Sequence, residues 1–128
     1  MSIKVDVSVG EFLDKLSILQ IKSERIIDQD KLKNISNELS ALQQVWLESE
    51  FSNSNLTQEL LDLRQVNEAL WDIEDAIREK ERLKQYDEKF TELARSVYVT
   101  NDKRAEVKKR INQKTGSELT EEKSYAEY

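Results

Sequence analysis

The absence of proline is the feature that most constrains this chain: none of its 128 residues is proline and only two are glycine. Proline and glycine are the residues that interrupt helices, so long helices can form along most of the sequence. Charged residues make up 36% of the chain, which is typical of long helices that pack side by side. The sequence therefore predicts an all-α protein in which residues 1–128 form a single helical-bundle domain.

The first predicted helix follows a short extended arm. Val5, Val7 and Val9 alternate with polar residues, which is the period of an extended segment. Ser8 and Glu11 then have the spacing of a capping box, so we expect helix 1 to begin there. Its apolar stripe repeats at alternating intervals of four and three residues, at Phe12, Leu16, Leu19, Ser23 and Ile26.

The second predicted helix carries the most regular heptad pattern in the chain, of the kind found in coiled coils. Asp30 is suited to cap a helix that begins at Lys31. The apolar positions that follow are Leu32, Ile35, Leu39, Leu42 and Trp46. Helices 1 and 2 are therefore expected to form an antiparallel hairpin.

Two longer helices are predicted in the second part of the chain. Residues 52–55 are serine and asparagine, which favour a loop, and Asn55 offers the next cap. Helix 3 should run from Leu56 to about Lys84, and Asp87 should start helix 4 after a break at 85–87. Gly116 should end helix 4 and leave an irregular tail, residues 117–128. The predicted architecture is an antiparallel bundle of about four helices, with hairpin 1–2 packed on hairpin 3–4.

Polar residues interrupt the apolar pattern of predicted helices 3 and 4. The apolar series of helix 3 is interrupted by Asn67 and Glu74, and that of helix 4 by Asn101, Arg104 and Lys108. Charges directed inward cost several kcal/mol unless they are paired, so the pattern needs an explanation. In an antiparallel pair, these positions would meet in one zone. The candidate ligand-binding residues are Asn67, Glu74, Arg78, Arg95, Tyr98, Asn101, Arg104 and Lys108.

This polar zone has two interpretations. Arg78 and Arg95 could receive a carboxylate or phosphate in a pocket for a small anionic molecule. The same side chains could instead pair with one another in a structural ion-pair lattice or in an oligomer interface. The sequence leaves both interpretations open.

The composition excludes several classes of function. Without histidine or cysteine, the chain has no Ser-His-Asp or Cys-His triad and no thiolate or imidazole zinc site. We expect no metal, no cofactor and no catalytic residue of these kinds. No apolar run is long enough to cross a membrane, and the net charge of −6 disfavours nucleic acid as a partner. A cytoplasmic location is the default expectation.

Several segments resemble a known protein family. They are SVGEFLDKL at 8–16, LWDIED at 70–75, LARSVY at 93–98 with Asn101 and Asp102, and EKSY at 122–125. In these segments the chain resembles domain-of-unknown-function family 6165, found in bacteria and phages, at times beside cell-surface polysaccharide enzymes. The resemblance implies no activity. It adds weight to the site interpretation of the polar zone and leaves the ion-pair lattice open, and it implies that the tail packs on the bundle through Tyr125.

The expected function is a non-catalytic helical interaction or binding module, possibly associated with cell-surface polysaccharide assembly. The alternative is a small enzyme acting on an anionic sugar or nucleotide, with Glu74 as general base and the arginines as anchors. Helices of unequal length leave apolar ends uncovered within one chain, so a homodimer is also expected.

Overall fold

Four α-helices account for the fold, and there is no β-strand. The computed structural model describes residues 1–128. The helices are α1 (Val9–Arg25), α2 (Gln29–Glu48), α3 (Thr57–Arg82) and α4 (Glu88–Thr115), with a short 3-10 turn at Glu50–Asn53. This confirms the predicted all-α bundle with two long helices. None of the helices combines the length and the apolar character needed to cross a membrane.

Three of the predicted helix boundaries are confirmed, two by a capping hydrogen bond and one by its backbone conformation. The Ser8 hydroxyl accepts the Glu11 backbone N–H at 3.1 Å and caps α1. Asp87 accepts the Phe90 N–H at 2.9 Å, so the chain breaks between α3 and α4. Gly116 ends α4 in the left-handed conformation, with φ of 65°. Each of these residues supplies a group or a conformation that the helix end requires.

Two predicted caps are wrong. Asp28, not Asp30, caps α2, because its carboxylate accepts the Lys31 N–H at 2.9 Å and the helix begins two residues earlier. Leu56, not Asn55, precedes α3, and it makes no side-chain capping bond. Leu56 is buried in the apolar core. Its burial, and not a side-chain capping hydrogen bond, therefore sets where α3 begins.

Helix α1 is the centre of the bundle. It contacts α2, α3 and α4, whereas α2 packs mainly on α1, and α3 and α4 lie against each other. The two predicted hairpins therefore meet through α1, with α2 on the outside. Because α1 is surrounded, it buries Leu13 and Ile21 in addition to part of the predicted stripe.

The apolar core lies towards the end of the bundle where α1 and α3 begin and α4 ends. It consists of Val9, Leu13, Leu16, Leu56, Leu63, Val107 and Ile111. Trp46 of α2 packs against this core and stacks on Phe12, with ring centroids 6.1 Å apart. At the opposite end, Arg25 of α1 pairs with Asp72, so the last turns of α3 extend beyond α1.

The tail follows α4 back along its surface. Lys108 donates to Glu121 at 2.8 Å, and the Tyr128 hydroxyl donates to Asp102 at 2.6 Å. Tyr125, the predicted point of attachment, is exposed, and the ammonium of Lys123 lies over its ring. That prediction is corrected: ionic and hydroxyl groups, which find partners on α4, attach the tail instead.

Candidate functional site

A buried polar cluster joins α1 to α3 beside the apolar core. The Asn67 side-chain amide donates to Asp14 at 3.0 Å and to the Ser17 hydroxyl at 3.3 Å. All three residues are buried. Buried polar groups are tolerated when they are hydrogen-bonded to one another, and this set fixes how α3 lies on α1.

Lys108 extends the polar cluster from α4. Its side chain is only 7% exposed, and its ammonium lies 2.6 Å from Glu11, 2.8 Å from Glu121 and 4.0 Å from Asp14. Burial alone would lower the pKa of Lys108, but the hydrogen bonds to Glu11 and Glu121 outweigh burial and raise it. Lys108 therefore stays protonated and has carboxylate partners from both α1 and the tail.

A close approach of two helices holds Lys108 over α1. The Gly10 N–H donates to the Asn112 side-chain oxygen at 2.7 Å. A β-carbon at Gly10 would lie 2.6 Å from the backbone oxygen of Lys108. Glycine therefore allows the backbones of α1 and α4 to come close enough for Lys108 to reach the carboxylates of α1.

A groove of 1190 Å³ lies between α4 and the tail. We call it the tail groove; it is lined by residues of α4 between positions 97 and 109 and by residues drawn from 120–128. Tyr98 and Tyr128 form one end, with ring centroids 5.2 Å apart. The hydrogen bond to Asp102 raises the pKa of the Tyr128 hydroxyl. The groove is larger than most small-molecule sites, which are about 300–1,000 Å³.

Arg104 connects the tail groove to the polar cluster. It lines the groove, and its one ion-pair contact is with Asp14, whose carboxylate oxygen lies 4.0 Å from Nε. It donates no hydrogen bond to the protein, although its side chain is only 28% exposed. A guanidinium group has five N–H donors in a planar arrangement that matches a carboxylate or phosphate. Arg104 is thus a half-buried cation whose donors remain available to a ligand.

The structure divides the predicted site residues among three places. Asn67 and Lys108 belong to the polar cluster. Tyr98, Asn101 and Arg104 line the tail groove.

The other three lie on the outer surface. Glu74 and Arg78 pair with each other at 3.0 Å along α3, and Arg95 is exposed without an ion pair. Glu74, the general base of the enzyme alternative, does not line the groove.

The reason for this division is the position of α1. It covers one side of the pair formed by α3 and α4, so residues on that side turn inward and pair with α1. Residues on other sides of the same helices face solvent or the tail. The polar zone expected between α3 and α4 alone is therefore replaced by contacts that involve α1 and the tail.

Sequence reasoning missed the α1 and tail partners of this site. Asp14, Ser17 and Glu11 were not among the predicted residues, since the predicted stripe of α1 placed them outside the core. A signal was present at Asp14, which lies between Leu13 and Leu16. Glu121 gave no signal, because one glutamate in a polar tail has no pattern.

The carboxylates do not assemble into a metal site: no group of three or more metal-ligating side chains comes close enough to hold an ion. The carboxylates nearest the site are occupied instead by Lys108, Asn67 and the Tyr128 hydroxyl. The hydrogen bond from Lys108 lowers the pKa of Glu121, which is therefore ionised at neutral pH. The arrangement can bind and orient a polar ligand beside Arg104.

Comparison with known proteins places the chain in a family. No match was found among curated proteins or among solved structures. The sequence pattern of a family of unknown function, DUF6165, matches residues 3–128, essentially the whole chain. The chain therefore belongs to the DUF6165 family.

Proposed function

We propose that this protein is a non-catalytic binding module that holds a small sugar with one acidic group in the tail groove. The observation that carries the proposal is Arg104, half-buried in the groove wall and without a hydrogen bond to the protein. A charged hydrogen bond is worth about 1.5–3 kcal/mol. An anion at Arg104 would therefore gain most of its binding free energy from this one side chain.

The charges of the groove argue for one acidic group and against several. Its lining has three cations, Arg104, Lys109 and Lys123, and five carboxylates, those of Asp102, Glu106, Glu121, Glu122 and Glu127. The balance of three against five leaves a formal charge of −2, which repels a polyphosphate. A ligand with a single carboxylate can place it on Arg104 and keep its neutral part near the acidic rim.

The neutral part of the ligand is suited to a sugar ring. Tyr98 and Tyr128 pack against each other and present exposed aromatic surface at one end of the groove, and aromatic rings stack on flat apolar surfaces such as the C–H face of a pyranose. The carboxylates of the rim can accept hydrogen bonds from sugar hydroxyls, and Asn101 also lines the groove. Acidic sugars are components of cell-surface polysaccharides, so this ligand class supports a role in their assembly.

The test is a binding titration followed by nuclear magnetic resonance of backbone amides. Glucuronic acid, glucose, methyl glucuronate and adenosine triphosphate serve as probes. We expect glucuronic acid to shift amides between residues 97 and 109, with no comparable shift from the two neutral sugars or from the nucleotide. Equal shifts from glucose and glucuronic acid, or no shift from any probe, would contradict the proposal.

Arg104→Met and Arg95→Met are matched variants for this titration. Both replace an arginine of α4 with an unbranched apolar side chain, but Arg95 lies outside the groove lining. Arg104→Met should weaken glucuronic acid binding by about 10- to 100-fold, the equivalent of one charged hydrogen bond. Arg95→Met should leave the affinity unchanged; an equal loss in both variants would mean that only the general charge of α4 matters.

A further inference from the structure

Few contacts hold the tail on the bundle. Every residue from 118 to 128 is exposed, and no hydrogen bond between backbone groups involves this segment. Two hydrogen bonds join it to the helices. Lys108 donates to Glu121 at 2.8 Å, and the Tyr128 hydroxyl donates to Asp102 at 2.6 Å. The segment is therefore attached by side chains at two points and not by its backbone.

These contacts are weak compared with the cost of ordering the segment. Each residue that takes up one backbone conformation loses conformational entropy, and residues 118–128 must all do so. One exposed ion pair or hydrogen bond returns at most about as much free energy as the ordering of one residue costs. The ring of Tyr128 packs on Tyr98, but both side chains remain exposed. The segment should therefore open readily when α4 alone holds it.

Ser117 is the point from which the segment can move. Its N–H donates to the Asn112 carbonyl at 3.0 Å, and its hydroxyl accepts the Val9 N–H at 3.3 Å. Ser117 is thus fixed to both α4 and α1, whereas the residues that follow it have no backbone partner. Residues 118–128 can lift away from α4 while the end of the helix stays in place.

The two attachment points lie on either side of Arg104. Asp102 precedes it on α4 and Lys108 follows it, and the two are separated by about 9 Å along the helix axis. The segment that joins Glu121 to Tyr128 therefore runs past Arg104 and forms the second wall of the tail groove. A ligand bound at Arg104 lies between α4 and this wall.

We propose that residues 118–128 are a strap that opens and closes in the free protein and is held closed by the ligand at Arg104. The proposal rests on the proposed function, because the ligand supplies the contacts that the strap lacks. A ligand that touches both walls binds the closed form better than the open form and shifts the equilibrium towards it. Release of the ligand then follows opening of the strap.

The test is limited digestion with trypsin, followed by mass spectrometry. Trypsin cleaves after lysine or arginine in segments that open locally. Lys123 is exposed in the strap, and Lys4 is exposed before α1 and outside the groove lining. In the free protein we expect cleavage after both lysines at rates within about tenfold of each other. Glucuronic acid at ten times its dissociation constant should slow cleavage after Lys123 by about tenfold and leave cleavage after Lys4 unchanged.

Tyr128→Phe and Tyr125→Phe are matched variants for this digestion. Both keep an aromatic ring in the groove lining, but only the Tyr128 hydroxyl donates to α4. With glucuronic acid present, Tyr128→Phe should be cleaved after Lys123 about 2- to 10-fold faster than the wild type, the equivalent of one hydrogen bond. Tyr125→Phe should be cleaved at the wild-type rate. Equal rates for the two variants would contradict the attachment of the strap at Asp102.

The outcomes separate the strap from the binding proposal. Cleavage after Lys123 in the free protein that is more than about tenfold slower than after Lys4 would mean that the strap does not open. Glucuronic acid could shift the amides of residues 97–109 and yet leave cleavage after Lys123 unchanged, or slow both sites equally. The strap would then be wrong and the binding proposal would stand. If no probe shifts those amides, the binding proposal fails and the strap fails with it.

Discussion

Replacing Gly10 with alanine tests the close contact between α1 and α4. The new β-carbon would lie 2.6 Å from the backbone oxygen of Lys108 and 3.0 Å from the Asn112 side-chain oxygen. A side chain could rotate away from such a clash, but a helix carbonyl cannot. The two helices must therefore separate by roughly half an ångström or more, since carbon and oxygen need about 3.2 Å.

The expected cost follows from three contributions. Overpacking of this kind costs about 1–3 kcal/mol. Lengthening the 2.7 Å hydrogen bond from Gly10 to Asn112 costs about 1 kcal/mol. Alanine recovers up to about 1 kcal/mol through its greater helix propensity. The net loss should be about 2 kcal/mol, or a fall of about 7 °C in the unfolding midpoint for a chain of 128 residues.

Urea unfolding followed by circular dichroism measures this loss. An Asn112→Ala background removes the hydrogen-bond contribution, so Gly10→Ala should cost about 1 kcal/mol less there. Gly116→Ala is the control for steric crowding. No atom lies within 4 Å of its added β-carbon, so any loss of stability in this variant comes from the φ of 65° and not from a clash. Equal or greater stability of Gly10→Ala would refute the claim that glycine is needed for this helix contact.

Three more changes have outcomes that the same unfolding assay can check. Leu63→Ala should cost about 2–5 kcal/mol because this leucine is fully buried, whereas Leu39→Ala should cost less because it is only partly buried; equal costs would contradict this ranking. Asp14→Ala should cost about 1–3 kcal/mol, since it removes one of the two acceptors of the buried Asn67 amide and leaves only the Ser17 hydroxyl; an unchanged midpoint would contradict that role. The lowered pKa of Glu121 stabilises the fold above the unfolded value of about 4.3 and is lost as pH falls further. Glu121→Gln should therefore reduce stability at pH 7 but not at pH 3, and an equal loss at both values would contradict the ion pair with Lys108.

Local chemistry in the sequence was enough to predict the class of fold and several boundaries. Ser8, Asp87 and Gly116 mark helix ends because their own side chains or backbone preferences satisfy a helix terminus. Such signals act within three or four residues and need no partner from elsewhere. Where a distant contact competes, as at Leu56, the local signal fails.

The candidate site was predictable only in part. Tyr98, Asn101 and Arg104 line one groove, because they share one side of a single helix. Glu74 and Arg78 were assigned to the same site, but they form a pair within α3. An interruption of the apolar pattern indicates that a residue needs polar surroundings; it does not indicate which element provides them.

The sequence by itself determined that the chain forms four helices, because helix propensity and apolar periodicity are properties of neighbouring residues. Two other features, the position of α1 and the path of the tail, were decided only by the tertiary structure. The position of α1 between the other helices, which brings Asp14 to Asn67 and Lys108, depends on contacts between residues more than 50 positions apart. The same is true of the tail, whose Glu121 reaches Lys108 only after α4 has been placed. Long-range packing selects one arrangement among several that satisfy the same helical pattern, because each arrangement pairs the buried charges differently.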